Sequence, residues 1–120
     1  MPSDKALLAL HDIQNNSRLA REFLGTLSHV ELKADRRTFY AVCRCPEIVS
    51  EAARRLPAPV RERHPELPWR LIFGVGNVYR HDYDNVSAEI VWQTVHDRLP
   101  TLESAIAAEI ARANSPPTAD

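Results

Sequence analysis

Residues 87–110, SAEIVWQTVHDRLPTLESAIAAEI, decide the fold class. Ala88, Val91, Trp92, Val95, Leu99, Leu102, Ile106 and Ile110 recur at steps of one, three and four, the spacing that gathers apolar side chains on one face of an α-helix. Ser87 is a good N-cap, and Glu89 places a carboxylate in the first turn, where it complements the helix dipole. Pro100 removes one backbone donor but leaves the apolar stripe in register, which predicts a single kinked helix rather than two.

The same spacing extends toward the N-terminus. Ala6, Leu10, Ile13, Ser17, Ala20, Leu24 and Leu27 define a first helix over residues 4–27, with Asp4 available to cap its orphan amides. Residues 29–35 read as a polar connection. Phe39, Val42, Cys45, Val49, Ala52 and Leu56 then define a helix over residues 35–56, in which Pro46 predicts a kink or, alternatively, a break into two shorter helices. Pro57, Pro59, Pro65 and Pro68 make residues 57–68 a rigid connector, with room for a turn or so of helix at 60–64. Pro68 suits the start of a further helix, in which Trp69, Ile72, Phe73 and Val75 form a short apolar surface ending near His81. Residues 82–86 read as a turn.

No alternating β-branched run is bounded by hairpin signals, and Gly25, Gly74 and Gly76 are the only glycines, so a sheet is not expected. Amphipathic helices joined by short links pack most simply as an all-α, antiparallel four- to five-helix bundle. One domain over residues 1–113 and a flexible tail over 114–120 follow. Trp69, Phe73 and Trp92 are either core residues or part of a face shared in a dimer.

A length of 120 residues supports one core. The net charge of −1 supplies no overall field toward nucleic acid, so RNA contact must come from a local arginine cluster. Arg36, Arg37, Arg44, Arg54 and Arg55 are either such a surface or an ordinary solvated helix face. No run of residues reads as a signal peptide or a membrane span, so the expected location is cytoplasmic. Cys43 and Cys45 point about 200° apart on a helix and cannot bridge each other, so they read as reduced core thiols rather than a metal or redox site. Neither metal nor cofactor is expected.

Polar and ionisable residues crowd together in Gly74-Val75-Gly76-Asn77-Val78-Tyr79-Arg80-His81-Asp82-Tyr83. His81 can exchange a proton near neutral pH, Arg80 can neutralise a phosphate, and Tyr83 offers a phenolic hydroxyl. These are parts of phosphoryl chemistry. By composition alone they also fit a solvated turn with a structural histidine.

Ordered blocks along the chain shift the weight toward the functional reading. Pro68-Trp69-Arg70, Gly76-Asn77-Val78-Tyr79-Arg80-His81-Asp82-Tyr83 and Glu89-Ile90-Val91-Trp92 resemble the HepT-like branch of the HEPN proteins. Glu47-Ile48-Val49-Ser50-Glu51-Ala52-Ala53-Arg54-Arg55-Leu56 is similar to that family's E-I-I-G-E-A-x-R-L, and Leu99-Pro100 with Leu102 matches its L-P-x-L. The resemblance implies a dimeric helical bundle. It also implies a toxin that cuts RNA without metal, paired with a minimal nucleotidyltransferase as antitoxin. In the family motif R-x-x-x-x-H-x-Y, His81 matches the histidine that moves the proton and Asn77 the polar residue after the arginine. Tyr83 matches the tyrosine that the antitoxin modifies with AMP.

One position departs from that motif: Gly76 stands where the family has arginine. Arg80, beside the histidine, and Arg70, upstream on the helix, are the candidates to supply the guanidinium and bind phosphate. Two functions stay open. The first is a ribonuclease toxin using His81, Arg80 and Asn77, silenced at Tyr83. The second is a catalytically silent subunit that binds the nucleotidyltransferase and a nucleotide, in which Gly76→Arg is expected to gain activity.

Overall fold

The computed structural model describes residues 3–81 and 87–115, with residues 77–81 represented by their helical backbone. Among these residues every regular element is helical: α1 (Asp4–Leu24), α2 (His29–Ala34), α3 (Arg36–Arg54), α4 (Ala58–Glu62), α5 (Trp69–His81), α6 (Ala88–Gln93), a π-helical turn (Thr94–Arg98) and α7 (Leu99–Asn114). The all-α bundle expected from the stripes is therefore present.

Helix α1 begins one residue earlier in its capping than the sequence suggests. Ser3, not Asp4, is the cap: its hydroxyl accepts from the Ala6 amide, while Asp4 sits in the first turn. The helix stops at Leu24 and not at Leu27, because Gly25 takes φ +56°, a conformation that L side chains rarely adopt. The polar connection at 29–35 is itself a short helix. Ser28 and Glu31 exchange hydrogen bonds in a capping box, which satisfies two orphan amides and nucleates α2 in a segment without a long apolar stripe. Asp35 then ends α2 and caps α3 through the Thr38 amide.

Helix α3 runs without interruption through Pro46, which is buried, so the alternative of two shorter helices does not hold. The strain of Pro100 is absorbed upstream of it, in the wider π-helical turn at Thr94–Arg98. This keeps α6 and α7 in one apolar register, with Val91, Val95, Leu99, Leu102 and Ile106 all buried.

The core lies where α1 packs on α3 and α7, and α3 packs in turn on α5. Leu10, Ile13, Leu24, Leu32, Val42, Val91, Val95 and Ile106 are almost fully enclosed there. Trp69, Phe73 and Trp92 are half-buried against this core. Their positions are fixed by polar contacts as well: the indole N–H of Trp92 donates to the Leu27 carbonyl at 2.8 Å, tying α6 to the loop after α1. Among the described residues, no helix is long and apolar enough to cross a membrane. The C-terminal tail expected to fray lies, from residue 116 on, outside the described residues.

Candidate active site on helix α5

Helix α5 carries the candidate site, and α3 holds it in place. The Phe73 carbonyl accepts from the Ser50 hydroxyl at 2.9 Å and from the Arg54 guanidinium at 3.0 and 3.2 Å. At the other end of this segment, the Trp69 indole donates to the His64 carbonyl at 3.0 Å, and Arg61 stacks 5.5 Å from the centre of the Phe73 ring. The helix is thus pinned by polar contacts where its apolar surface is short.

The two glycines of α5 have opposite environments. A Cβ at Gly74 would meet nothing within 4 Å, so this side of the helix is open. A Cβ at Gly76 would lie 2.7 Å from Ser50 Cβ, 2.8 Å from Ser50 Oγ and 3.2 Å from the Glu47 carbonyl oxygen. Gly76 is therefore a close-approach position between α3 and α5. A side chain at position 76, arginine included, requires α3 and α5 to shift, because even its first carbon overlaps α3.

The backbone of α5 places Asn77, Arg80 and His81 in its last turns. Asn77 and His81 are four residues apart, about 6 Å along the axis, and share a stripe of the helix. Arg70 is exposed in the first turn. Eleven residues separate it from His81, about 16 Å along the axis, so the two cannot serve one phosphate group. Tyr83 lies outside the described residues.

The arginines of α3 and its C-cap are largely committed within the chain. Arg44 pairs with the buried carboxylate of Glu47 at 2.8 Å, Arg55 with Asp12 at 2.9 Å, Arg54 with the Phe73 carbonyl, and Arg36 with the Tyr40 hydroxyl at 3.3 Å. Cys43 and Cys45 are free and buried. Burial pushes the Cys43 thiol up to about 12, with the Glu47 carboxylate adding to the effect, and burial pushes Cys45 up to about 11. Thiols held protonated in this way are packing groups rather than nucleophiles or ligands.

Sequence reasoning missed two features. Ser50 and Glu47 form the α3 wall against Gly76, and nothing in their spacing announces a contact with a residue about 26 positions away. Glu109, buried on α7, receives the Arg63 guanidinium and contacts His64 Nε2 at 2.8 Å, a cluster assembled from residues 45 and 46 positions apart. A groove of about 280 Å³ beside α5 is lined largely by apolar residues, including Val49, Leu71, Val75 and Leu102, with Arg98 at its edge.

Comparison with known proteins matches residues 13–109 to the family described as "Ribonuclease HepT-like". A Thermococcus cleftensis protein named "Probable ribonuclease HepT" is 32% identical over 94 residues, covering 78% of this chain and 86% of that protein. A Methanocaldococcus jannaschii protein described as "Putative RNase" is 28% identical over 100 residues, 83% of each chain. One from Caldanaerobacter subterraneus, also described as "Putative RNase", is 36% identical over 66 residues, 55% of this chain and 59% of that one. No solved structure matches. The helical bundle, the motif at the end of α5 and a family match spanning most of the chain agree: this protein belongs to the ribonuclease HepT-like family.

Proposed function

We propose that the protein is a metal-independent endoribonuclease that acts as the toxin of a pair with a minimal nucleotidyltransferase. The observation that carries this reading is the unbroken course of α5 to His81, which keeps Asn77, Arg80 and His81 within about 6 Å along one helix axis. Proximity on a rigid element is what acid–base and phosphate chemistry require. His81 takes the proton of a ribose 2′-hydroxyl as its oxygen attacks the adjacent phosphorus. The bond from phosphorus to the 5′-oxygen breaks, and the same proton passes to that oxygen. The products are a 2′,3′-cyclic phosphate and a 5′-hydroxyl, with no water consumed. Arg80 offsets the charge that develops on the phosphate, and Asn77 holds a phosphate oxygen. Arg70, farther along the helix, binds a different phosphate of the strand.

The partner acts at Tyr83. Its phenolic oxygen takes AMP from ATP, pyrophosphate leaves, and the added negative charge repels the RNA backbone from the site. The toxin works as a homodimer in the cytoplasm, and exposed apolar residues such as Leu8, Phe23 and Ile90 are available for contact with a second copy. Purified protein is expected to cleave RNA in EDTA, and His81→Ala is expected to lower the rate at least about 100-fold without changing the fold. Intact RNA with folded, dimeric wild-type protein overturns the reading.

Gly76 favours a second reading, a silent subunit that holds the nucleotidyltransferase and its nucleotide. Co-expression separates the two. Growth arrest by the chain alone, relieved by the partner together with an AMP mass increment on Tyr83, supports the toxin; complex formation without arrest supports the silent subunit.

A further inference from the structure

Gly76 and Ser50 both leave the family's pattern, glycine for arginine on α5 and serine for glycine on α3, and the fold sets them against each other. At 2.7 and 2.8 Å, the Ser50 side chain occupies the space that any side chain at position 76 would need first. Without the Ser50 side chain both overlaps vanish. The next contact, the Glu47 carbonyl oxygen at 3.2 Å, is one that a shift of a few tenths of an ångström relieves. Ser50 is also fixed where it stands, because its hydroxyl donates to the Phe73 carbonyl at 2.9 Å.

We infer that Ser50 is a positioning residue that excludes arginine from position 76 and assigns the phosphate-stabilising guanidinium to position 80, one helical turn farther along α5. Positions 76 and 80 share a stripe of the helix, about 6 Å apart along its axis, a separation that an extended arginine side chain covers. The Ser50 side chain fills the space where a side chain at position 76 begins, and that occupancy decides where the cation sits. The inference rests on the ribonuclease reading for its catalytic half and on packing alone for its structural half.

Stability and activity are measured on the full chain for Gly76→Arg, Ser50→Gly/Gly76→Arg, Arg80→Ala, and Ser50→Gly/Gly76→Arg/Arg80→Ala. Gly76→Arg alone is expected to fail to fold or to lose about 10 °C or more in Tm, and adding Ser50→Gly to recover most of that loss. Arg80→Ala is expected to cut RNA cleavage about 100-fold, and the triple variant to return to within about tenfold of wild type. A Ser50 of merely structural importance restores Tm without moving the arginine requirement. A Gly76→Arg variant as stable as wild type, or one that Ser50→Gly does not rescue, overturns the exchange. A folded triple variant as inactive as Arg80→Ala, beside an active wild type, overturns the relocation alone. A wild type that cleaves no RNA overturns the ribonuclease reading, and the relocation with it, while the Tm comparison still decides the exchange.

Discussion

Gly76 shows how one residue can be legible in a sequence and still be misread. Its identity marks a departure from the family motif, but glycine in a helix interior costs about 1 kcal/mol relative to alanine, so its presence requires a reason. That reason is the α3 wall: Ser50 and the Glu47 carbonyl stand where a side chain would go. Helical spacing alone sets Asn77 beside both Arg80 and His81, at three and four residues, while positions 80 and 81 lie about 100° apart around the axis. Ser17 is a second case. Its position in the α1 stripe correctly predicts burial, yet its hydroxyl has no hydrogen-bond partner among the described residues. A buried, unsatisfied hydroxyl is unfavourable, and alanine is the better helix former. Ser17→Ala is therefore expected to raise stability by about 1 kcal/mol, read as a higher urea midpoint at unchanged slope; a loss of stability contradicts this account.

At the scale of elements, the boundaries follow local chemistry that the apolar stripes do not report. The stripes located α1, α3 and the α6–α7 run, because burial of one helix face has a fixed period. They missed α2, which depends on the Ser28–Glu31 capping box rather than on periodicity. They also gave no hint of the contact that ties α4 and the following connector to α7. There the Arg63 guanidinium, first, and then His64 hold the Glu109 carboxyl below its ordinary value, against the opposing effect of burial. A carboxylate with a depressed folded pKa contributes stability above its unfolded pKa and loses it as pH falls through the folded value. Wild type is thus expected to exceed Glu109→Gln by roughly 2 kcal/mol at pH 7, a figure typical of hydrogen bonds to charged groups. The gap should close as pH falls below about 4.5, the ordinary value for this group. Paired thermal melts from pH 7 to pH 3 test this, and a gap that widens in acid refutes it.

For the molecule as a whole, the balance of charge limits how RNA is held. With a net charge of −1 there is no broad field to attract a polyanion, and three arginines of α3 and its C-cap Arg55 already serve partners inside the chain. Under the proposed function, binding then rests on the few cations of α5. Each phosphate neutralised on a single strand contributes a slope of about −0.7 to the dependence of log affinity on log salt, so two or three contacts give roughly −1.5 to −2. Fluorescence titration of His81→Ala with a short single-stranded RNA at several salt concentrations measures that slope, and a value near −5 points to a broad basic surface instead. By itself the sequence determined the all-helical class, the order of the main helices and the family, because each depends on a period or a motif within a continuous stretch. Only the tertiary structure decided that position 76 has no room for a side chain, that Arg54 and Ser50 pin α5, and that Glu109 meets Arg63 and His64. Those facts depend on the distance between separate helices, which is set by packing across the core and leaves no trace in the spacing along either one.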